Sequence, residues 1–225
     1  MTELNKKALI GFTGLFIVVS LLLFVGAWSV YYWQAWVFLG AFFIPALLIT
    51  IYLAKNDTAL LERRVSAGPA NEKEKSQKRI QSVAQLAFLT IIVLPAIDHR
   101  LGWSSVPAYF MITGDLLIVA GYYVVFLVFG ENTFTSATIE VAAGQSVIST
   151  GPYALVRHPM YSGALILLLG TPLSLGSWWG LLMVIPMVAA LAWRLLDEEK
   201  FLSKNLHGYN AYQQKVKYRL IPFIW

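Results

Sequence analysis

Residues 151–161 read GPYALVRHPMY and lead directly into a long apolar run at about 160–176. The pair Arg157-His158 therefore stands where a hydrophobic helix would enter a membrane. Ionisable groups at a membrane edge are functional candidates, because a partner or a ligand must offset their desolvation. A second polar block, 194–199, closes the next apolar run. Two polar blocks that bracket a hydrophobic hairpin predict a small-molecule site at a membrane surface.

The composition indicates a helical membrane protein. Of the 225 residues, 58% are hydrophobic and 13% are charged, and the mean hydropathy is +0.64. A soluble domain of this size could not cover so much apolar surface, and several runs approach the roughly 20 residues that span a bilayer. The sequence lacks cysteine, which excludes thiol nucleophiles, thiolate metal sites and disulfides. We therefore expect an all-α integral membrane protein.

Six transmembrane segments are predicted, at about 8–29, 34–54, 83–98, 107–129, 160–176 and 178–195. Of the 17 Lys and Arg residues, all except Arg100 fall at the N-terminus, in alternate connections or in the C-terminal region. The positive-inside rule assigns that side to the cytoplasm. We therefore expect a multi-pass protein of a cell inner or plasma membrane, with both termini and the 55–82 loop in the cytoplasm. The same distribution accounts for the net charge of +5 without a nucleic-acid partner.

The chain divides into two regions. Residues 1–129 are expected to hold the first four spans and the charged 55–82 loop, which we interpret as facing solvent or lipid headgroups, with a surface helix around 72–81. Residues 130–225 are expected to hold the last two spans, joined as a helical hairpin by the tight turn at 176–180. An amphipathic cytosolic tail follows and would cover a site between the two polar blocks.

The residues around His158 predict that it lies directly before the N-terminus of a helix. Pro159 disfavours helical geometry for the residue before it and suits the first turn of a helix. His158 is therefore expected to be extended, next to unpaired backbone donors and the positive end of the helix dipole. That arrangement favours a carboxylate or another polar ligand group. The alternative is structural: Arg157 anchors lipid headgroups and His158 caps the helix.

Arg194 and Glu198 are four residues apart and so share one helix face at the end of the last span. A guanidinium there could clamp a carboxylate in two-pronged fashion, and Glu198 could bind an ammonium or a sulfonium-bearing ligand. Glu199 falls on an adjacent face. The alternative is an ordinary ion pair at the end of a helix.

Four short motifs occur together in the C-terminal part of the chain: Gly-Pro-Tyr at 151–153, His-Pro-x-Tyr at 158–161, Arg-x-x-x-Glu-Glu at 194–199 and Gly-Tyr-x-x-Tyr at 208–212. The combination resembles the isoprenylcysteine carboxyl methyltransferase family. Members of that family are integral-membrane enzymes that use S-adenosylmethionine, and they are related to phospholipid N-methyltransferases. The resemblance covers about 130–225 and implies that cofactor, an amphiphilic or small-molecule methyl acceptor, and no metal.

The resemblance also implies roles for individual residues. The cofactor-binding positions fall on Gln145, Ser146, Val147, Ile148, Tyr153, His158, Pro159, Met160 and Tyr161. The catalytic, substrate-side pair falls on Arg194 and Glu198. At Gln145 the eukaryotic pattern has a histidine, so this position departs from the family.

Two other classes of protein compete with this interpretation. NADPH-dependent membrane reductases of sterol-like or enone-like substrates share a similar His-Pro-x-Tyr, an acidic pair and a closing Tyr-Arg-x-x-Pro-aromatic tail, which 218–223 matches. Against the reductase, Met160 replaces the usual Asn between Pro and Tyr, and the chain is short. A non-catalytic scaffold would leave both polar blocks without a purpose. The sequence therefore favours S-adenosylmethionine-dependent methyl transfer at the cytosolic membrane face onto a small or lipid-like acceptor, for which a carboxylate is one candidate.

Overall fold

The protein is all-helical in the residues that the computed structural model describes, which are 2–65, 75–135, 139, 141–142 and 144–225. The α-helices in these ranges are α1 (Glu3–Ala27), α2 (Trp33–Asn56), α3 (Thr58–Val65), α4 (Lys75–Leu101), α5 (Ala108–Glu131), α6 (Pro159–Ser174), α7 (Trp178–Leu182), α8 (Val184–Asn205) and α9 (Tyr209–Lys215). A 3-10 turn at Gly151–Ala154 precedes α6. The predicted all-α fold class is confirmed.

Five helical segments within the described ranges are long and apolar enough to cross a membrane: α1, α2, Gln77–Leu101 of α4, α5 and the combined stretch Trp178–Asn205. α6 is also apolar, but its 16 residues extend only about 24 Å. Each of these segments contains an apolar stretch of 18 residues. Between 11% and 33% of that stretch is buried inside the protein, so most of its apolar side chains face outward. Lipid would cover that surface, and the protein is therefore an integral membrane protein.

Glycine residues allow α6 to run closely against α5. A Cβ atom on Gly170 would lie 2.6 Å from the carbonyl oxygen of Gly114. About two helical turns further along α5, a Cβ atom on Gly121 would lie 2.7 Å from the carbonyl oxygen of Gly163. Any side chain larger than hydrogen would therefore force the two backbones apart, as in other close contacts between membrane helices.

α6 is short, yet its two ends lie near the two ends of α5. At its start, Met160 packs against the cluster that contains Phe129, in the last turn of α5. Just beyond its end, Gly176 lies beside the side chain of Met111, in the first turn of α5. α6 therefore covers nearly the same length of the helical bundle as α5, which supports the predicted sixth span. The number of membrane crossings stays a prediction.

Gly170→Ala is expected to lower the free energy of unfolding by about 1–3 kcal/mol, because the added methyl group would collide with the backbone of α5. Gly130→Ala is the matched control, since nothing lies within 4 Å of the position of its Cβ atom. This control should be neutral or slightly stabilising, because alanine favours a helix over glycine. Thermal unfolding in detergent measures both variants, and equal melting temperatures would contradict the close packing of α5 on α6.

The predicted 55–82 loop is partly helical and partly packed. α3 follows Asp57, whose carboxylate accepts a hydrogen bond from the backbone N–H of Leu60 at 2.9 Å. Leu60 is buried in a cluster with Phe129, so α3 lies against the end of the helical bundle rather than wholly in solvent. Residues 75–81 of the predicted surface helix belong to α4, and the rest of that predicted helix lies outside the described residues.

The C-terminal tail packs against the connection between α5 and α6. Leu206, Tyr209, Tyr212 and Val216 form a buried cluster against Val147. α8 lies mainly along α4 and contacts α6 less. A close hairpin between the last two spans therefore stays a prediction, as does the role of the tail as a cover.

Reporter fusions placed after residue 55 and after residue 225 are both expected to report the cytoplasm, because basic residues surround both positions and six spans return the chain to its starting side. A fusion after Gly102, in the connection that carries only Arg100, is the control and should report the opposite side. An external signal after residue 225 combined with a cytoplasmic signal after residue 55 would show that α6 does not cross.

Candidate functional site

Every predicted site residue lines one cavity of about 770 Å³. Its wall includes Gln145, Ser146, Val147, Ile148, Tyr153, His158, Pro159, Met160, Tyr161, Arg194 and Glu198. These residues come from the connection after α5, from the start of α6 and from the second half of α8. Ligand pockets typically enclose about 300–1,000 Å³, so this cavity has the size of a small-molecule site.

The start of α6 is held by the C-terminal tail. His158 has φ −126° and ψ 62°, which is not helical, and α6 begins at Pro159 as the sequence predicts. The backbone N–H of His158 donates to the carbonyl of Arg219 at 2.9 Å. The N–H of Arg157 donates to the carbonyl of Tyr218 at 2.9 Å. His158 occupies the N-cap position of α6, but its side chain makes no capping hydrogen bond.

Glu199 is the centre of a buried ion cluster that the sequence did not assign to the site. Its Oε1 accepts a hydrogen bond from Arg157 Nε at 2.6 Å and lies 3.3 Å from His158 Nε2. Its Oε2 accepts from Arg219 Nε at 3.0 Å. The side chains of Arg157 and Glu199 are only 6% and 7% exposed, and Arg157 Nη1 also donates to the carbonyl of Val216 at 2.9 Å. Arg157 is therefore buried and paired within the protein, and the headgroup-anchor alternative is wrong.

Tyr161 links the two catalytic candidates. Its hydroxyl donates to Glu198 Oε2 at 2.6 Å and accepts from Arg194 Nε at 3.1 Å. Arg194 Nη1 donates to Gln77 Oε1 at 3.2 Å, and the buried amide of Gln77 donates to Asp197 at 3.0 Å. Groups from α4, α6 and α8 together fix the plane of the Arg194 guanidinium, which a simple ion pair along one helix would not do.

Tyr153 is fixed at both its hydroxyl and its carbonyl. Asn132 Nδ2 donates to the hydroxyl at 3.0 Å, and the hydroxyl of Tyr212 donates to the carbonyl at 2.8 Å. Burial raises the pKa of Tyr153, so the phenol is neutral at physiological pH and can donate a hydrogen bond to a ligand. Gln145 uses part of its amide locally, because its Oε1 accepts from the N–H of Ala142 at 2.9 Å.

The buried hydroxyl of Tyr209 is the strongest indication that the cavity binds a ligand. Tyr209 is 4% exposed and lines the cavity. Within the described part of the chain, its hydroxyl has no hydrogen-bond partner. A buried hydroxyl without a partner costs free energy, which a polar group of a bound ligand would recover. The residues present therefore fit S-adenosylmethionine, whose ribose, amino and carboxylate groups could satisfy this hydroxyl.

The cavity continues into an apolar half between α1 and α4. Its wall there is formed by Leu15, Val18, Val19, Leu22, Ala84, Phe88 and Leu89. Of these, Leu15, Val18 and Leu89 are also exposed on the outer surface of the helices. The cavity can therefore take an apolar chain, and its edge reaches the surface that lipid would cover.

Arg64 of α3 also lines the cavity, although the composition of 55–82 predicts a loop that faces solvent or lipid headgroups. The helical spacing of Arg64 from two leucines could have predicted this position. Arg64 is four residues after Leu60 and three after Leu61, and both leucines are buried. Residues at those spacings share one helix face, so Arg64 faces the bundle with them.

Comparison with known proteins supports the methyltransferase interpretation. Residues 109–208 match the family model of phospholipid methyltransferase, a stretch that includes Arg194 and Glu198. The chain is also 32% identical over 128 residues to the Delta(14)-sterol reductase TM7SF2 of Mus musculus. That alignment covers 49% of this chain and 30% of the reductase, so the chain matches less than a third of the relative's length. The family match favours a membrane methyltransferase, and the reductase similarity supports the competing class in part.

Proposed function

We propose that this protein is an S-adenosylmethionine-dependent membrane methyltransferase, similar to the isoprenylcysteine carboxyl methyltransferases. It acts at the cytosolic face on a small or lipid-like acceptor, for which a carboxylate is one candidate. The observation that carries the proposal is the cavity that joins the polar side chains of the motifs to an apolar half. The match of residues 109–208 to phospholipid methyltransferases supports the reaction class.

Methyl transfer requires positioning more than acid–base chemistry. When bound, S-adenosylmethionine supplies a methyl group on a sulfonium, and an acceptor lone pair forms the new bond as the carbon–sulfur bond breaks. The protein contributes alignment, desolvation and charge complementarity. Glu199 holds Arg157 and His158 in place at the N-terminus of α6. Tyr153 and Tyr209 offer hydroxyls to the cofactor. Glu198 complements its positive charge, and Arg194 orients the acceptor headgroup.

NADPH-dependent reduction of a sterol-like or enone-like substrate is the second candidate. It is favoured by the identity to the sterol reductase and by the closing tail motif at 218–223. Arg219 of that motif bonds to Glu199 and lies over the ring of Trp225 at 5.5 Å. In this candidate the polar half of the same cavity would hold the nicotinamide cofactor.

Parallel calorimetric titrations of the purified protein in detergent, with S-adenosylmethionine and with NADPH, separate the two candidates. Binding of S-adenosylmethionine without binding of NADPH is expected. Tyr209→Phe should weaken that binding by about two- to tenfold, because it removes one hydrogen bond from a buried hydroxyl and keeps the packing of the ring.

Tyr109→Phe is the matched control for Tyr209→Phe, since Tyr109 is exposed in the first turn of α5 and does not line the cavity. It should leave the affinity unchanged. Tight binding of NADPH with no binding of S-adenosylmethionine would select the reductase. Equal affinities for S-adenosylmethionine in the two tyrosine variants would remove Tyr209 from the site.

A further inference from the structure

Residues 219–225 form a turn after α9, here called the tail turn, that exposes apolar side chains. Phe223 is 87% exposed and Ile224 is 75% exposed, and Ile221 and Trp225 are exposed to a smaller degree. The tail turn lies outside the described helices that could cross a membrane, so a membrane span does not account for this surface. Four exposed apolar side chains within five residues therefore indicate an interaction surface.

The tail turn lies beside the first turn of α6. The carbonyl of Arg219 accepts from the N–H of His158 at 2.9 Å, and the carbonyl of Leu220 accepts from the hydroxyl of Ser162 at 2.6 Å. Ser162 is the fourth residue of α6. Because α6 extends only about 24 Å, which is less than the roughly 30 Å of a hydrocarbon core, its first turn lies at the boundary of that core if the helix crosses. The tail turn is therefore placed at the level of the lipid headgroups.

The backbone of the tail turn is largely paired within the turn itself. The carbonyl of Trp225 accepts from the N–H groups of Arg219, Leu220 and Ile221 at 2.8, 2.9 and 3.1 Å. The carbonyl of Ile221 accepts from the N–H groups of Ile224 and Trp225 at 3.2 and 3.1 Å. Backbone N–H groups that are paired internally can enter an apolar environment without the cost of an unpaired donor. The turn can therefore lie among lipids without losing hydrogen bonds to water at these positions.

The basic side chains of the tail are separated from its apolar cluster. Lys215 and Lys217 are exposed immediately before the turn. Arg219 is instead bonded to Glu199 at 3.0 Å and lies 5.5 Å from the ring of Trp225. Basic residues next to an apolar surface are typical of segments that bind the interface of membranes with anionic lipids. At the level of the headgroups, this arrangement favours lipid over a second copy of the chain as the occupant of the apolar surface.

We propose that the tail turn is a membrane anchor, in which Phe223 and Ile224 insert between the headgroups and the upper acyl chains of the leaflet at the start of α6. This inference goes beyond the proposed function and does not depend on which cofactor the protein binds. Arg219 connects the anchor to the candidate site, because its carbonyl accepts from His158 and its side chain bonds to Glu199. The anchor thereby fixes the depth of the candidate site relative to the membrane surface.

The absence of cysteine from the sequence allows a single nitroxide label to be placed at a chosen position. Phe223→Cys and Ile224→Cys are labelled separately in the full chain and reconstituted into vesicles of phosphatidylcholine and phosphatidylglycerol. Electron paramagnetic resonance then compares collisions of the label with oxygen, which concentrates in lipid, and with a water-soluble nickel chelate. Both labels are expected to collide more with oxygen and to report a depth of about 5–10 Å into the boundary of headgroups and acyl chains.

Two further positions calibrate the measurement. Gln214→Cys is the matched control, since Gln214 is an exposed polar residue of α9 in the same tail, and its label should collide more with the nickel chelate. Leu116→Cys gives the lipid reference, because Leu116 is 64% exposed on the candidate span α5. Nickel accessibility at 223 or 224 equal to that at 214 would overturn the proposal. Labels at 223 and 224 shielded from both reagents would show that protein covers the turn, as in a contact between copies, and would overturn it as well.

Discussion

Glu199→Ala is expected to destabilise the folded protein by about 3–5 kcal/mol and to abolish cofactor binding, because removal of one partner from a buried ion cluster leaves the remaining charges uncompensated. Glu199 contacts Arg157, His158 and Arg219. Of the hydrogen bonds that Arg157 makes within the described residues, those to the carbonyls of Val216 and Lys217, each at 2.9 Å, would remain. Thermal unfolding in detergent gives the stability, and calorimetry with S-adenosylhomocysteine gives the affinity.

Glu198→Ala is the matched control for the stability measurement. Glu198 precedes Glu199 in the same helix and has the same charge, but within the described residues it accepts a side-chain hydrogen bond from one hydroxyl, that of Tyr161. Its loss should cost about 0.5–3 kcal/mol of stability, as expected for one hydrogen bond to a charged group. If Glu198→Ala lowers the melting temperature as much as Glu199→Ala, the cluster around Glu199 does not hold the mouth of α6.

The long apolar helices and the start of α6 followed from local sequence rules, whereas the cofactor-side positions at 145–148 and 153 were implied by the family resemblance. Pro159 fixed the start of α6, and the spacing of four residues placed Arg194 and Glu198 on one face. The importance of Glu199 was not predictable in this way. Its partners at 157, 158 and 219 are far apart along the chain, and only tertiary packing brings the tail beside α6.

Arg64 and Gln77 were missed for a different reason. Both belong to a charged segment whose composition is typical of a solvated loop. Composition averages over a segment, whereas burial depends on the face of the helix. Gln77 is 2% exposed at the start of α4, where it bonds to Arg194 and Asp197, and no periodic apolar pattern around it indicated a contact with α8.

The short α6 illustrates a further limit of hydropathy. The apolar run at 160–176 predicted a span, but length alone makes the helix marginal. Glycines at 163 and 170 let α6 lie directly against the backbone of α5, which hydropathy does not measure. The sequence contained these glycines, yet their partners at 114 and 121 could be identified only from the packed helices.

Arg194→Lys is expected to lower kcat/KM by about ten- to a thousandfold, which corresponds to about 1.4–4 kcal/mol of transition-state stabilisation. The guanidinium of Arg194 donates from Nε to Tyr161 and from Nη1 to Gln77, so its plane is fixed before an acceptor arrives. A lysine ammonium keeps the charge but lacks the planar fork, and it cannot reproduce both contacts in the same geometry. Affinity for S-adenosylmethionine should stay within about threefold, because the cofactor contacts that we assign lie on Tyr153, Tyr209, Glu198 and the start of α6 and do not include Arg194.

The measurement is the transfer of a radiolabelled methyl group from S-adenosylmethionine into the organic extract of membranes that contain the protein, with calorimetry on the purified variant for cofactor affinity. Arg100→Lys is the matched control: Arg100 lies 5.6 Å from the centre of the Trp28 ring and does not line the cavity, so it should transfer methyl groups at the wild-type rate. A parallel loss of cofactor affinity in Arg194→Lys would place Arg194 on the cofactor side of the cavity. Wild-type turnover would mean that Arg194 only braces Tyr161 and Gln77, and that another group of the cavity wall orients the acceptor.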